Sequence, residues 1–150
     1  MLDVKALLTK ILKVHGTYGA LYSLSSSLSL TTTSQKVPIN TFVGKGCSKS
    51  SNGIKVDEAG VYEISGSAYF STGFTANDLV HVEIWVNSTV VNDAIFRTGT
   101  PNYYCSVAVA PIIYSLNAGD VVYLYAYNQA GARGLVESRR RNGLALHRIT

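Results

Sequence analysis

Cysteine is scarce in this chain: Cys47 and Cys105 are the two thiols in 150 residues, too few for a disulfide scaffold and too few to close a zinc site unaided. Charged residues make up only 15% of the sequence, while 47% is hydrophobic and 10% aromatic, which excludes the charge-rich, aromatic-poor composition of disordered chains. No apolar run approaches the roughly 20 residues that cross a bilayer as a helix, so no membrane span is expected. The first fourteen residues do not read as a secretory signal: Asp3 and Lys5 break its order of charges, and Lys10 and Lys13 interrupt its apolar stretch. Without export, the two thiols are expected to stay unbridged.

What is abundant is Ser, Thr, Gly, Val and Tyr, the last with ten copies, a composition that suits sheets with hydroxyl-lined faces. The fold class read from this is all-β. Charge is laid out in blocks. Residues 1–55 hold seven Lys and one Asp, residues 56–96 six acids and no base, and residues 97–150 six Arg against Asp120 and Glu137. Identical subunits carrying such patches would attract one another, and an exposed basic patch would attract anionic polymers.

Val4, Leu7, Leu8, Ile11 and Leu12 fall at helical spacing, with Asp3 near the start, Lys10 and Lys13 near the end and Gly16 placed as a C-cap. Residues 1–16 are therefore read as a short amphipathic helix that needs a partner for its apolar face. Val4, Leu7, Ile11 and Val14 also fit coiled-coil a and d positions for less than two heptads. Residues 17–34 form a Ser/Thr/Leu tract that reads equally as a connection or an edge strand. After Pro38 a strand is expected over Ile39–Val43, then a Gly/Lys/Ser loop over Gly44–Gly53. Strict alternation marks Val61–Phe70 and Val80–Val86, the latter turning at Asn87-Ser88 into Thr89–Asn92. Tyr103–Tyr114 and Val121–Tyr127 follow, joined by the turn Asn117-Ala118-Gly119-Asp120, and Leu144–Ile149 closes the chain. Seven to nine short strands at this spacing mean a sandwich or jelly roll.

Gly60-Val61-Tyr62, Ile84-Trp85-Val86-Asn87, and Leu116 with Gly119-Asp120, Val122 and Leu124 resemble, in this order, the signature of the C1q/tumour-necrosis-factor-like jelly roll. The resemblance covers residues 35–150 and implies a ten-stranded jelly roll assembled as a homotrimer that binds rather than catalyses. The last strand lacks the family's Phe-x-Gly, and there is no collagen-like stalk, whose place the N-terminal helix would take. The opening Met-Leu-Asp-Val-Lys-Ala-Leu-Leu-Thr-Lys-Ile-Leu is similar to small structural proteins of tailed phages and prophages. Together these imply a virion fibre, decoration or tail-tip protein, made in the host cytoplasm and released by lysis. Its partners would be itself, other virion proteins through the helix, and a host-surface glycan. A bacterial surface or spore-coat trimer of the same fold is the alternative, and a cupin-type metalloenzyme is the alternative from another class.

Enzyme chemistry finds little support. His15, His81 and His147 lie in no catalytic motif. His81 and Glu83 share a strand face and would bind a metal only with a third ligand; a solvated face is the simpler reading. Calcium enters by family resemblance only: Asp57, Glu58, Asp78, Asp93 and Asp120 form no calcium-loop spacing, and Asp120 is read as a turn residue. Asn87-Ser88-Thr89 matches a glycosylation sequon but is read as a hairpin. Arg139, Arg140 and Arg141 are the densest basic feature, suited to sulfate, phosphate or carboxylate groups of a glycan or to acids of a neighbouring subunit. No nucleic-acid motif accompanies them. Tyr103, Tyr104, Tyr123, Tyr125 and Tyr127 are expected on adjacent strands. There they would form a trimer interface with Val4, Leu7, Ile11 and Val14, or serve as a sugar-stacking platform.

Overall fold

Alternation decides the architecture. In β7 (Gly60–Ser71) the residues Tyr62, Ile64, Ala68 and Phe70 point one way and are fully buried; so do Val80, Val82 and Ile84 of β8 (Leu79–Val86), and Val122, Leu124 and Ala126 of β11 (Val121–Asn128). Strands with one apolar edge each must face one another across a shared core, and here they do so as two antiparallel sheets. The computed structural model describes residues 3–5, 16–22, 27–99, 104–137 and 142–150.

Sheet A has the order β2 (Leu28–Ser29), β12 (Leu135–Val136), β7, β13 (Gly143–Arg148), β1 (Tyr18–Tyr22), β4 (Thr41–Lys45), with β10 (Cys105–Leu116) on the other side of β7. Sheet B has the order β5 (Cys47–Ser50), β6 (Gly53–Val56), β11, β8, β9 (Thr89–Arg97), with β3 (Gln35–Lys36) also on β11. At one side of the sandwich Asn92 Nδ2, from β9, donates to the Ala110 carbonyl of β10 at 2.8 Å, tying the two edge strands together. Pro111 sits in the register shift of β10 between Val109 and Ile112, a place on an edge strand where a missing N–H costs no ladder bond.

The buried Tyr62 donates its hydroxyl to the Glu58 carbonyl at 2.7 Å, so a large ring is buried with its polar atom satisfied. At Gly66 a Cβ would lie 2.7 Å from Leu124 Cδ1, so glycine there lets the sheets approach. Cys47 is buried and Cys105 half-buried, and both are free thiols. Burial, with the nearby Asp57 charge, pushes the Cys47 thiol up to about 11, which keeps it protonated and unreactive at neutral pH.

Two stretches fold differently from expectation. The tract over residues 17–34 supplies β1, hydrogen-bonded to β13 on one side and β4 on the other, and so a strand inside the sheet; β2 alone lies at a sheet end. Leu21, buried among Ser, Ala and Tyr, is what holds β1 to the core. The segment Gly44–Gly53 is not a loop but carries the hairpin β5–β6, whose turn residues Ser51 and Asn52 take φ of 47° and 63°. Two consecutive left-handed residues twist a tight hairpin the right way, and Cys47, Ile54 and Val56 bury its inner face. With the two-residue strands β2, β3 and β12, this brings the number of strands among the described residues to thirteen.

Candidate functional site

The two outer faces of the sandwich carry the surface chemistry, and they are built differently. On sheet A the outward positions line up in rows set by register. One row reads Val43, Ala20, Ala145, Ser65; the next reads Tyr22, Gly143, Ser67, Ala108. Small residues in neighbouring rows leave a shallow concavity of about 480 Å³, walled by Tyr22 and Pro111. Around it large apolar side chains stand in solvent: Ile113 is 60% exposed and Val43 51%, and Tyr18 and Tyr104 are exposed too. A further row places Lys45, Tyr18, His147, Glu63 and Ile113 side by side, with His147 Nε2 3.5 Å from Glu63.

On sheet B the outward residues pack on one another. Tyr123, Tyr125 and Tyr127 share a face, as their parity predicts. Trp85 stacks on Tyr125 with ring centroids 4.5 Å apart, His81 stacks on Tyr127 at 4.3 Å, and Lys36 Nζ lies 4.0 Å over Tyr123. A Cβ at Gly53 would lie 2.6 Å from the Tyr123 ring, so glycine makes the space that ring occupies. Glu83 is 8% exposed; its Oε2 accepts from Ser34 Oγ and from Trp85 Nε1, both at 2.8 Å. His81, 7% exposed, meets Gln129 Oε1 at 3.0 Å.

The sequence-predicted residues fall as follows. Tyr104 and the tyrosines of β11 are not on adjacent strands: β10 belongs to sheet A and β11 to sheet B, because the turn at 117–120 crosses between sheets. Asp120 serves that turn as expected, accepting from Asn117 N at 2.8 Å. The solvated reading of His81 and Glu83 gives way to burial beneath the rings and polar groups beside them. Asn87 donates to Asp120 Oδ1 and accepts from Val121 N, both at 3.0 Å, so the sequon amide is a clasp between two turns. Among the described residues no three His, Cys, Asp or Glu are grouped to hold a metal. Asp78, fully buried, accepts from Arg133 and from Thr75 N, binding the β7–β8 and β11–β12 loops together. Val4 is exposed; Leu7, Ile11, Val14, Tyr103 and Arg139 to Arg141 lie outside the described residues. The small-residue face of sheet A went unnoticed in the sequence. Its signal was the spacing of Ser65, Ser67, Ala108 and Ala145 opposite core positions.

No protein family's sequence profile matches the chain, and neither does any curated protein sequence. Among solved structures it is similar to one described as the structure of Eiger TNF from S. frugiperda, with a TM-score of 0.64 and 10% identity over 89% of this chain and 92% of that one. That likeness gives the fold, a TNF-like jelly-roll sandwich.

Proposed function

We propose that this chain is a non-catalytic jelly-roll module that assembles with copies of itself, as a trimer, through the outer face of sheet A. The observation that carries the reading is that face: a groove of Ala, Gly and Ser bordered by exposed Ile113, Val43, Tyr18 and Tyr104. Exposed large apolar side chains around a small-residue concavity are what one copy would insert into another, with a gain of about 25 cal/mol per Å² of apolar surface removed from water. A contact between unlike patches closes into a ring when its rotation allows, and the C1q/TNF resemblance makes three the expected number. The charged row fits the same contact, since Lys45 at one end and Glu63 toward the other are the signs that neighbouring copies would pair.

A role as a virion fibre, decoration or tail-tip protein, with a host-surface glycan as target, rests on the resemblance of residues 1–12 alone. The cupin reading has less behind it, because among the described residues no third His, Cys, Asp or Glu joins His81 and Glu83 in a metal-holding group.

Light scattering on the wild type and on Ala145→Arg tests the assembly. We expect a trimer for the wild type and a monomer of unchanged melting temperature for the variant. A wild-type monomer, or an Ala145→Arg trimer, overturns the proposed interface.

A further inference from the structure

We propose that the outer face of sheet B is a docking surface for a basic peptide segment, receiving a guanidinium or ammonium group at Glu83 and Asp93 beside the rings of Tyr127, Tyr125 and Trp85. Four observations lead there. First, Glu83 and Asp93 stand directly opposite each other in the β8–β9 register, and like charges so placed on one face destabilise a sheet. Among the described residues neither carboxylate is in an ion pair, whereas Asp78 and Glu58 meet Arg133 and Arg148. Two opposed carboxylates without a cation are a cost to the fold that a bound cation would remove.

Second, Glu83 is a held carboxylate rather than a free one. Both of its bonds, from Ser34 and Trp85, fall on Oε2, leaving Oε1 without a partner from the described residues, on a side chain more than nine-tenths buried. A charge fixed in this way loses little freedom when a ligand arrives. Third, the rings are in place for a cation. Tyr127 lies in the field of both carboxylates, and Lys36 already sits over Tyr123 on this face, so the array tolerates a positive group at ring distance. Arginine suits the site best, because a guanidinium stacks on rings and forks onto carboxylates at once.

Fourth, the border of the patch on β9 is apolar on both sides of Asp93, with Ile95, opposite His81, 58% exposed and Val90, opposite Trp85, exposed as well. Such a rim contacts the neighbouring residues of a peptide, which a small inorganic cation lacks. The chain carries a formal net charge of +4, so a polycation is repelled by the molecule as a whole and any binding must be local. This surface lies on the sheet opposite the proposed self-association face and does not depend on it.

The probe is a fluorescein-labelled Gly-Arg-Gly-Arg-Gly-Ser peptide, titrated at low salt against the wild type and the double variant Glu83→Gln with Asp93→Asn. Glu83→Gln keeps an acceptor for Ser34 and Trp85, and circular dichroism checks that the fold is kept. The expected result is saturable binding that weakens at least about tenfold in the double variant and when citrulline replaces arginine. Equal binding by the variant or by the citrulline peptide overturns the proposal. So does an absence of peptide binding alongside binding of chitotetraose, which would make the face a neutral glycan platform. If peptide binding vanishes with Ala145→Arg but not with the acid variant, the site is on sheet A instead.

Discussion

The two outer faces of this sandwich obey the same alternation and end in opposite conditions. On sheet B the outward side chains are large and engage one another: Trp85 on Tyr125, His81 on Tyr127, Lys36 on Tyr123, Ser34 on Glu83. On sheet A they are small at the centre and apolar at the border, and Ile113 and Val43 stand in solvent. The difference teaches that one alternation can pack rings against one another on one sheet and leave apolar side chains in solvent on the other. Rings at cross-strand spacing pack on one another and stabilise the fold, whereas the short side chains of sheet A leave its apolar border in solvent, the condition on which the proposed self-association rests.

The sharpest way to break this comparison is to truncate one residue on each face. Trp85→Ala removes a stacked ring and a hydrogen bond to Glu83 together, and should cost about 3 kcal/mol in urea denaturation. Ile113→Ala should stay within about 0.5 kcal/mol of wild type yet weaken self-association measured by dilution. Equal costs would erase the distinction between the faces. A step smaller, Arg133→Ala should cost about 2 kcal/mol in urea denaturation, because it removes the cation from the buried Asp78 carboxylate and leaves it only the neutral partners Thr75 and Asn128. Burial would raise the Asp78 carboxyl, but the Arg133 and Thr75 bonds outweigh it and hold it below its ordinary value. Its stabilising share is therefore present above the unfolded carboxylate range and lost as pH falls through the folded value.

Alkali should separate the faces next. Burial, then the neighbouring Tyr123, raises the Tyr125 phenol; burial, then Glu83 and Asp93, raises that of Tyr127. A phenol raised on folding stabilises fully below its unfolded value of about 10, and that share is lost as pH climbs through the folded value. Thermal melts from neutral to strongly alkaline pH should fall steeply above about pH 10, and replacing Tyr125 and Tyr127 by Phe should blunt the fall. The smallest effect has the opposite sign: Asp93→Asn relieves the carboxylate opposition and should stabilise by about 0.5 kcal/mol. A loss there would mean that Asp93 is a structural residue.

Much of the sheet was legible in the sequence because burial on one face leaves a period of two, as in Val80, Val82 and Ile84 against His81, Glu83 and Trp85. Composition pointed to the all-β class, and such runs pointed to a sandwich or jelly roll. β1 was harder to see: its outward residues are Tyr and Ala rather than charges, so an inner strand read equally as a connection or an edge strand. The β5–β6 hairpin was missed although Asn52-Gly53 is an Asn-Gly pair: the left-handed turn falls one residue earlier, on Ser51 and Asn52, and the flanking Ser and Lys made the segment look like a loop. Parity placed Tyr123, Tyr125 and Tyr127 on one face correctly. Which sheet that face belonged to depended on a turn crossing the sandwich, and no local pattern reports that.

The measurement that bears most directly on the account is hydroxyl-radical footprinting of the tyrosines across a dilution series. If sheet A is the self-association face, Tyr18 and Tyr104 become protected as concentration rises while Tyr123, Tyr125 and Tyr127 keep a constant reactivity. Protection of the β11 tyrosines with Tyr18 and Tyr104 unchanged would contradict it and move the interface to sheet B.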